Sequence, residues 1–258
     1  MFGNKMQTPA IPERVFALCK TITNKEMLEK ELKELLEPSH LGGKTVYFGT
    51  VRTAAEQLGL INIKDDTISL AVGKENVINI ETMRKYINLN LEHHKGSLFY
   101  DVTKAYFSMG KEVFEHENVS KMCDLIGEKI NRKLDEDDMR AWRFWVSYLG
   151  MGYMHDMLML PNASTLLSDV INGRQLKKDA EYSMSEFMDE IRPYCDVLLE
   201  NVEEENKFNY GFSNGLRLLH DQGKIILQHK LDRGDMWFLY PLEFHAIKET
   251  VTHITVRR

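Results

Sequence analysis

Apolar and polar positions in this chain twice trace the same passage: a helix-period stretch runs into two short alternating runs joined by a polar turn. The first reads GTVRTAAEQLGL, then INIKDD and TISLAVG, from Gly49 to Gly73. The second reads FSNGLRLLHDQGK, then IILQHKLD and RGDMWFLYP, from Phe212 to Pro241. Val51, Ala54 or Ala55, and Leu58 share one helix face in the first copy, and Phe212, Leu216 and Leu219 in the second. The switch from a period near 3.6 to a period of 2 predicts a helix giving way to a hairpin. Gly59 ends the first helix, and Asp65-Asp66 marks its hairpin tip.

Upstream of the first passage the pattern predicts two more helices. One opens near Pro12, where a missing N–H costs nothing, and buries Val15, Phe16, Leu18, Cys19 and Ile22. The next is capped by Asn24, carries Met27, Leu28, Leu32, Leu35 and Leu36, and stops at Pro38. Its Glu and Lys residues read as a solvated face. SHLGGK is a turn, and Thr50 caps the third helix. From Asn76 to about Asn172 the chain reads as helices without strands. The longest stretch, Asp135 to Leu160, begins with four acids where the macrodipole favours them and sets Trp142, Trp145, Val146 and Leu149 on one face. Its methionines, 151, 154, 157 and 159, read as adaptable core. Beyond Pro161 follow a helix through Leu166, Leu167, Val170 and Ile171, a capping box at Ser183 and Glu186, and an interruption or kink at Pro193. The tail ETVTHITVRR alternates like one further strand.

With helix, strand and wing present twice, the chain resembles tandem winged-helix proteins over roughly residues 9–75 and 161–241. The resemblance rests on TVRTAAEQLGLINIKDDTISLAV and GLRLLHDQGKIILQHKLDRGDMWFLYP. It implies a mainly α (α+β) fold: two winged helix-turn-helix units, 1–75 and 161–258, joined by a helical middle region at 76–160. The proline-bracketed opening, helical middle and C-terminal winged unit are also similar in layout to bacterial phage-defence accessory proteins of the DpdG type. That likeness implies a cytoplasmic, non-enzymatic subunit of an antiviral defence system, working on DNA beside helicases or nucleases.

Length and composition agree with this organisation. At 258 residues the chain suits two such units and a middle region, and 43% apolar content can fill their cores. Met1 to Pro12 lacks the features of an export signal, and the apolar run Phe144–Met154 falls short of the roughly 20 residues that span a bilayer. A soluble, cytoplasmic protein with no membrane partner is expected. Cys19, Cys123 and Cys195 are isolated, which fits neither a zinc ribbon nor a disulfide framework, so they read as buried apolar residues in a reducing compartment. The net charge of −6 is uneven. Residues 1–75 are neutral, 76–204 carry −8 and 205–258 carry +2. Phosphates can therefore be approached at the ends of the chain, though nothing demands it.

Candidate chemistry concentrates on the two helices that precede the wings. The exposed side of the first should show Arg52, Thr53, Glu56 and Gln57, equally consistent with base and phosphate contacts and with an ordinary soluble face. On the second, Ser213, Asn214, Arg217 and His220 lie opposite the apolar stripe, with Lys230, Arg233 and the Arg257-Arg258 tail available to flank them. Those types suit double-stranded DNA, diluted by Asp221, Asp232 and Asp235. His93-His94 and His155-Asp156 are adjacent pairs that cannot converge on one ion or proton from a helix. Phosphate-binding glycine loops, nucleophile–base pairings and metal-ligand spacings are absent from the sequence, so no cofactor and no enzyme is expected.

Two functional classes remain open. In the first, the chain is a DNA-binding or DNA-associated accessory subunit. In the second, both winged units bind protein partners in a larger assembly, as the acidic subunits of condensin-like complexes do. Arg217, Lys230, Arg233 and the Arg257-Arg258 tail favour DNA, the leading expectation, while the net charge and the Asp65-Asp66 wing tip favour protein, the alternative. A multi-subunit setting suits both, and a homodimer is compatible with either.

Overall fold

The computed structural model describes residues 2–41, 47–199, 206–231, 236–247 and 249–257. Its first unit comprises α1 (Pro12–Thr21), β1 (Met27–Leu28), α2 (Glu29–Leu36), α3 (Phe48–Gln57), β2 (Ile61–Lys64) and β3 (Thr67–Leu70). The three strands form an antiparallel sheet in the order β1-β3-β2. Pro12 occupies the first turn of α1. The expected cap at Asn24 is displaced, because Met27 and Leu28 pair with Ile68 and Thr67 and α2 starts only at Glu29. Neither does Thr50 cap α3. Glu37 takes that role from a distance, its carboxylate accepting from the N–H groups of Tyr47 and Phe48 at 2.9 and 3.1 Å. Asp65 and Asp66 both adopt left-handed φ, 48° and 59°, which gives β2 and β3 a two-residue turn.

Helices α4 (Ile80–Asn88), α5 (Leu98–Ser108), α6 (Cys123–Ile130) and α7 (Glu136–Tyr148) follow, linked by short 3-10 turns. The acids at 135–138 form a reciprocal capping box, Asp135 and Asp138 each accepting from the other's backbone N–H. The expected helix to Leu160 ends early. A hairpin, β4 (Gly152–His155) and β5 (Leu158–Pro161), replaces its second half. Two local features impose the change. Gly150 takes φ +74°, and a Cβ on Gly152 would sit 2.7 Å from the Leu160 carbonyl oxygen, so that crossing admits only glycine.

The last unit runs α8 (Ser164–Gly173), β6 (Glu181–Ser183), α9 (Met184–Cys195), α10 (Tyr210–Asp221), β7 (Ile225–Gln228), β8 (Trp237–Phe238), β9 (Thr250–Val251) and β10 (His253–Val256). Ser183 and Glu186 make the expected capping box, and α9 continues through Pro193 to Cys195. The stretch around Trp237, expected to return alongside β7, pairs instead with β9. The tail supplies the partner of β7, in a sheet of order β6-β10-β7. Thus 24 residues, 229–252, separate β7 from β10, where the other two hairpins turn in two.

One joint occurs three times. After α3, α7 and α10 come Gly59, Gly150 and Gly223, with φ of 67°, 74° and 68°. The next residue in each case, Leu60, Met151 or Lys224, donates to the carbonyl five positions back, at 3.0, 3.1 and 2.9 Å. This is the closing bond of a Schellman cap. The same three residues then accept from the far end of the returning strand: Ala71 to Leu60, Asn162 to Met151 and Arg257 to Lys224, at 2.9, 2.9 and 2.7 Å. The middle region therefore carries a third helix–hairpin passage.

The described residues share one continuous apolar core. Trp142 and Trp145 are fully buried within it, donating to Thr103 Oγ1 at 3.0 Å and to the Ala10 carbonyl at 2.6 Å. Phe2 meets Trp145 edge-on at 5.5 Å, tying the opening segment to α7. Among the described residues, no helix is long and apolar enough to cross a membrane. The chain is mainly helical with small sheets.

Candidate interaction surfaces

A ligand face was expected on the helix that precedes the hairpin in the first and last of the three passages. Six positions before the joint glycine stand Thr53, Phe144 and Arg217. Thr53 is exposed and Phe144 is 40% exposed, but Arg217 is only 3% exposed. Residues 240–247, within the connection between β7 and β10, contact α10. Ser213 Oγ accepts from the Tyr240 N–H at 2.8 Å, Arg217 Nε donates to the Ile247 carbonyl at 3.0 Å, and Asp221 receives His245 Nε2 at 3.1 Å. These contacts fall at i, i+4 and i+8, a single stripe of the helix. The Ile247 N–H donates to His245 Nδ1 at 3.0 Å, which leaves the ring proton on Nε2 for Asp221. Burial draws the Arg217 pKa below its usual value.

The other expected contacts on this unit are likewise engaged. Ser213 is fully buried, Asn214 donates to the Pro161 carbonyl at 3.3 Å, and His220 Nδ1 accepts from the Leu227 N–H at 3.2 Å. Lys230 is paired with Glu181, and Arg257 with Asp179 at 2.6 Å. Arg233 and Arg258 lie outside the described residues. On α3, Arg52 grips both oxygens of Glu29 at 2.6 and 2.7 Å, and Gln57 Oε1 accepts from the Phe2 N–H at 2.6 Å. Thr53 stays open beside Glu56. Among the described residues, Arg52, Lys230 and Arg257 are each tied to a carboxylate instead of forming an open basic face.

A different cluster emerges on the middle unit. The Arg143 guanidinium lies 5.2 Å from the Phe144 ring centroid and 3.8 Å from Met157 Sδ at the β4–β5 turn. Met157 is 39% exposed, and Tyr153 on the outer side of the same hairpin is 54% exposed. Sequence reasoning passed over these residues because the hairpin was read as helix. One signal was available. Phe144 sits on the polar side of an amphipathic helix, between Trp142 and Trp145 on the buried side.

Reactive groups are buried or dispersed. Cys19 and Cys195 are fully buried, and burial pushes both thiols up, Cys19 to about 12. His94 is buried and pushed down to about 4. No cluster of three His, Cys, Asp or Glu side chains arranged for a metal ion occurs among the described residues. No family model, curated protein or solved structure matches the chain.

Proposed function

We propose that the chain is a non-enzymatic tandem winged-helix subunit that binds protein partners. The orders β1-β3-β2 and β6-β10-β7, each built from helix, strand, two helices, strand and returning strand, are those a winged helix-turn-helix requires. On this reading the passage through α5, α6, α7 and the β4–β5 hairpin is a third, reduced unit. The observation that carries the protein reading is Arg217, which sits 3% exposed beneath the chain's own connection instead of on an open groove-facing side. Duplex binding draws its affinity from several basic side chains free to reach phosphates. Here Arg52, Lys230 and Arg257 are each paired with a carboxylate.

The partner surface is the Arg143–Phe144–Met157 cluster. Exposed aromatic and Met side chains in contact with a half-buried Arg have the composition of an interface hot spot. Arg143 stacks on apolar groups and so keeps its charge for a partner carboxylate. The test pairs two measurements. Partners co-purified from the native host with the intact chain should be lost with Phe144→Ala and with Arg143→Glu. A salt titration of duplex binding should show no steep dependence. Tight, salt-sensitive duplex binding, unchanged partners and a normal fold in both variants would return the chain to the DNA class.

A further inference from the structure

The three helix–hairpin passages align on their joint glycines, and the middle one lacks a partner that the first supplies. Seven positions before the glycine stand Arg52, Arg143 and Leu216. Arg52 holds both oxygens of Glu29, whose own N–H donates to the Asp66 carbonyl at 2.8 Å. Asp66 comes seven positions after Gly59, and Met157 seven after Gly150. The Met157 carbonyl accepts from the Val119 N–H at 2.9 Å, so Val119 stands where Glu29 stands. Val119 is fully buried and carries no charge. Among the described residues no carboxylate pairs with Arg143, which rests on Met157 Sδ and the Phe144 ring.

The strand edges differ in a related way. Bonds from Ala71, Asn162 and Arg257 to the joints fix which residues pair across each hairpin. Ile63, Met154 and Leu227, each four positions after its glycine, therefore turn their N–H and C=O groups away from the returning strand. The Leu227 N–H is capped from its own helix by His220 Nδ1, three positions before the glycine. Met154 has Ser147 at that position, and neither its N–H nor its carbonyl has a partner among the described residues. Ser147 lies four residues after Arg143 and three after Phe144, so the three share one side of α7. Backbone N–H and C=O groups are strong hydrogen-bonding groups, and an edge that leaves them unpaired is a template for another strand.

We infer that the outer edge of β4 takes an added strand from a partner protein, an extended segment whose carboxylate pairs with Arg143. Such strand addition presupposes the protein-interaction reading and names the form and the charge of the partner. Met154 supplies the backbone bonds, which give affinity without regard to sequence. Arg143 supplies the selection, since a guanidinium prefers the planar, charge-assisted bonds of a carboxylate. Phe144 and Met157 add exposed apolar surface beside that charge. The other two units do not offer the same combination. In the first, Arg52 is satisfied by Glu29, and Thr53 and Glu56 stand where Phe144 and Ser147 stand. In the last, His220 closes the edge and Leu216 replaces the arginine.

The probe is a capped synthetic peptide of alternating Val and Glu, compared with its Val–Lys counterpart and with a Val–Glu peptide N-methylated throughout. Affinity for the intact chain and amide hydrogen exchange at Met154 are measured together. The Val–Glu peptide should slow exchange at Met154 and bind at least about tenfold more tightly than the Val–Lys peptide, the scale of one charge-assisted hydrogen bond. The N-methylated peptide should do neither. Arg143→Glu should reverse the preference between the two charged peptides. Ser147→His places at the middle joint the imidazole that caps Leu227, and should abolish peptide binding with Arg143 still in place. If that variant does not melt cooperatively, the N-methylated peptide remains the test of backbone pairing. Unchanged exchange at Met154, or equal binding of the Val–Lys or N-methylated peptide, would overturn the inference. Host partners lost with Phe144→Ala but retained with Ser147→His would also overturn it, leaving the Arg143 surface standing without an added strand. Tight, salt-sensitive duplex binding would instead remove the protein-interaction reading beneath it.

Discussion

Arg84 on α4 holds Asp169 on α8 through two parallel hydrogen bonds, Nε to Oδ2 at 2.8 Å and Nη2 to Oδ1 at 3.2 Å. Asn88 Nδ2 adds a third to the same carboxylate at 2.9 Å and also donates to the Leu149 carbonyl. Asp169 is 4% exposed and Asn88 fully buried. The helix that follows the first unit is thus fastened to the helix that opens the last, and both to the end of α7. Asp169→Ala strands a half-buried guanidinium and a buried amide, and should cost about 1.5–3 kcal/mol in urea denaturation. Asp169→Asn retains one acceptor and should cost less. Equal losses would mean that packing, not the ion pair, decides this junction.

The three joint glycines make a graded prediction. All adopt left-handed φ, so alanine at each should cost on the order of 1–2 kcal/mol. Around Gly59 and Gly223 a Cβ would meet nothing within 4 Å, whereas at Gly150 it would lie 2.3 Å from Thr165 Cβ. Gly150→Ala should therefore be the most destabilising of the three in thermal melts. Three similar losses would contradict the close approach of that joint to α8.

His94 sets an acid limit. Burial depresses its folded pKa from 6.5 to about 4, so the unfolded chain binds the proton more readily between those values. Its contribution to stability is complete above about pH 6.5 and declines as pH falls toward 4, by roughly 3 kcal/mol at most. His94→Gln should flatten that part of the pH–stability curve, as measured by denaturant midpoints from pH 7 to pH 4.

Trp145 and Phe144 are neighbours with opposite roles. Trp145→Ala empties a fully buried site, removes the donor to Ala10, and should cost about 3–5 kcal/mol. Phe144→Ala removes an exposed ring and should change stability by no more than about 0.5 kcal/mol. If Phe144→Ala unfolds the chain, the residue belongs to the core and the proposed partner surface moves elsewhere.

Hydrophobic period made α1 and α3 legible, since Val15, Leu18, Val51, Ala54 and Leu58 are all buried as the spacing required, but in α2 only Leu32 is buried and Leu35 is exposed. It failed at Met27-Leu28 because two residues are too few to display alternation. It failed again from Tyr148 to Leu160, where Met, Leu and Tyr suit helix and strand alike and only Gly150 and Gly152 mark the change. The orientation of α10 was hidden for another reason. Ser213 and Arg217 are polar, and a polar stripe reads as exposed. Nothing local announces that a segment 24 to 30 residues downstream folds over it. The Arg143 cluster was obscured by the same misread hairpin.

The contrast between two-residue turns and the 24 residues joining β7 to β10 has a practical side. Lengthening a loop from 2 to 24 residues costs only about 2 kcal/mol of closure entropy, and this chain already tolerates it at one joint of three. The Asp65–Asp66 turn, exposed and remote from Arg143 and Arg217 in sequence, is the corresponding place in the first unit. An epitope or fluorophore-bearing loop grafted there would report on the molecule from the tip of the first hairpin.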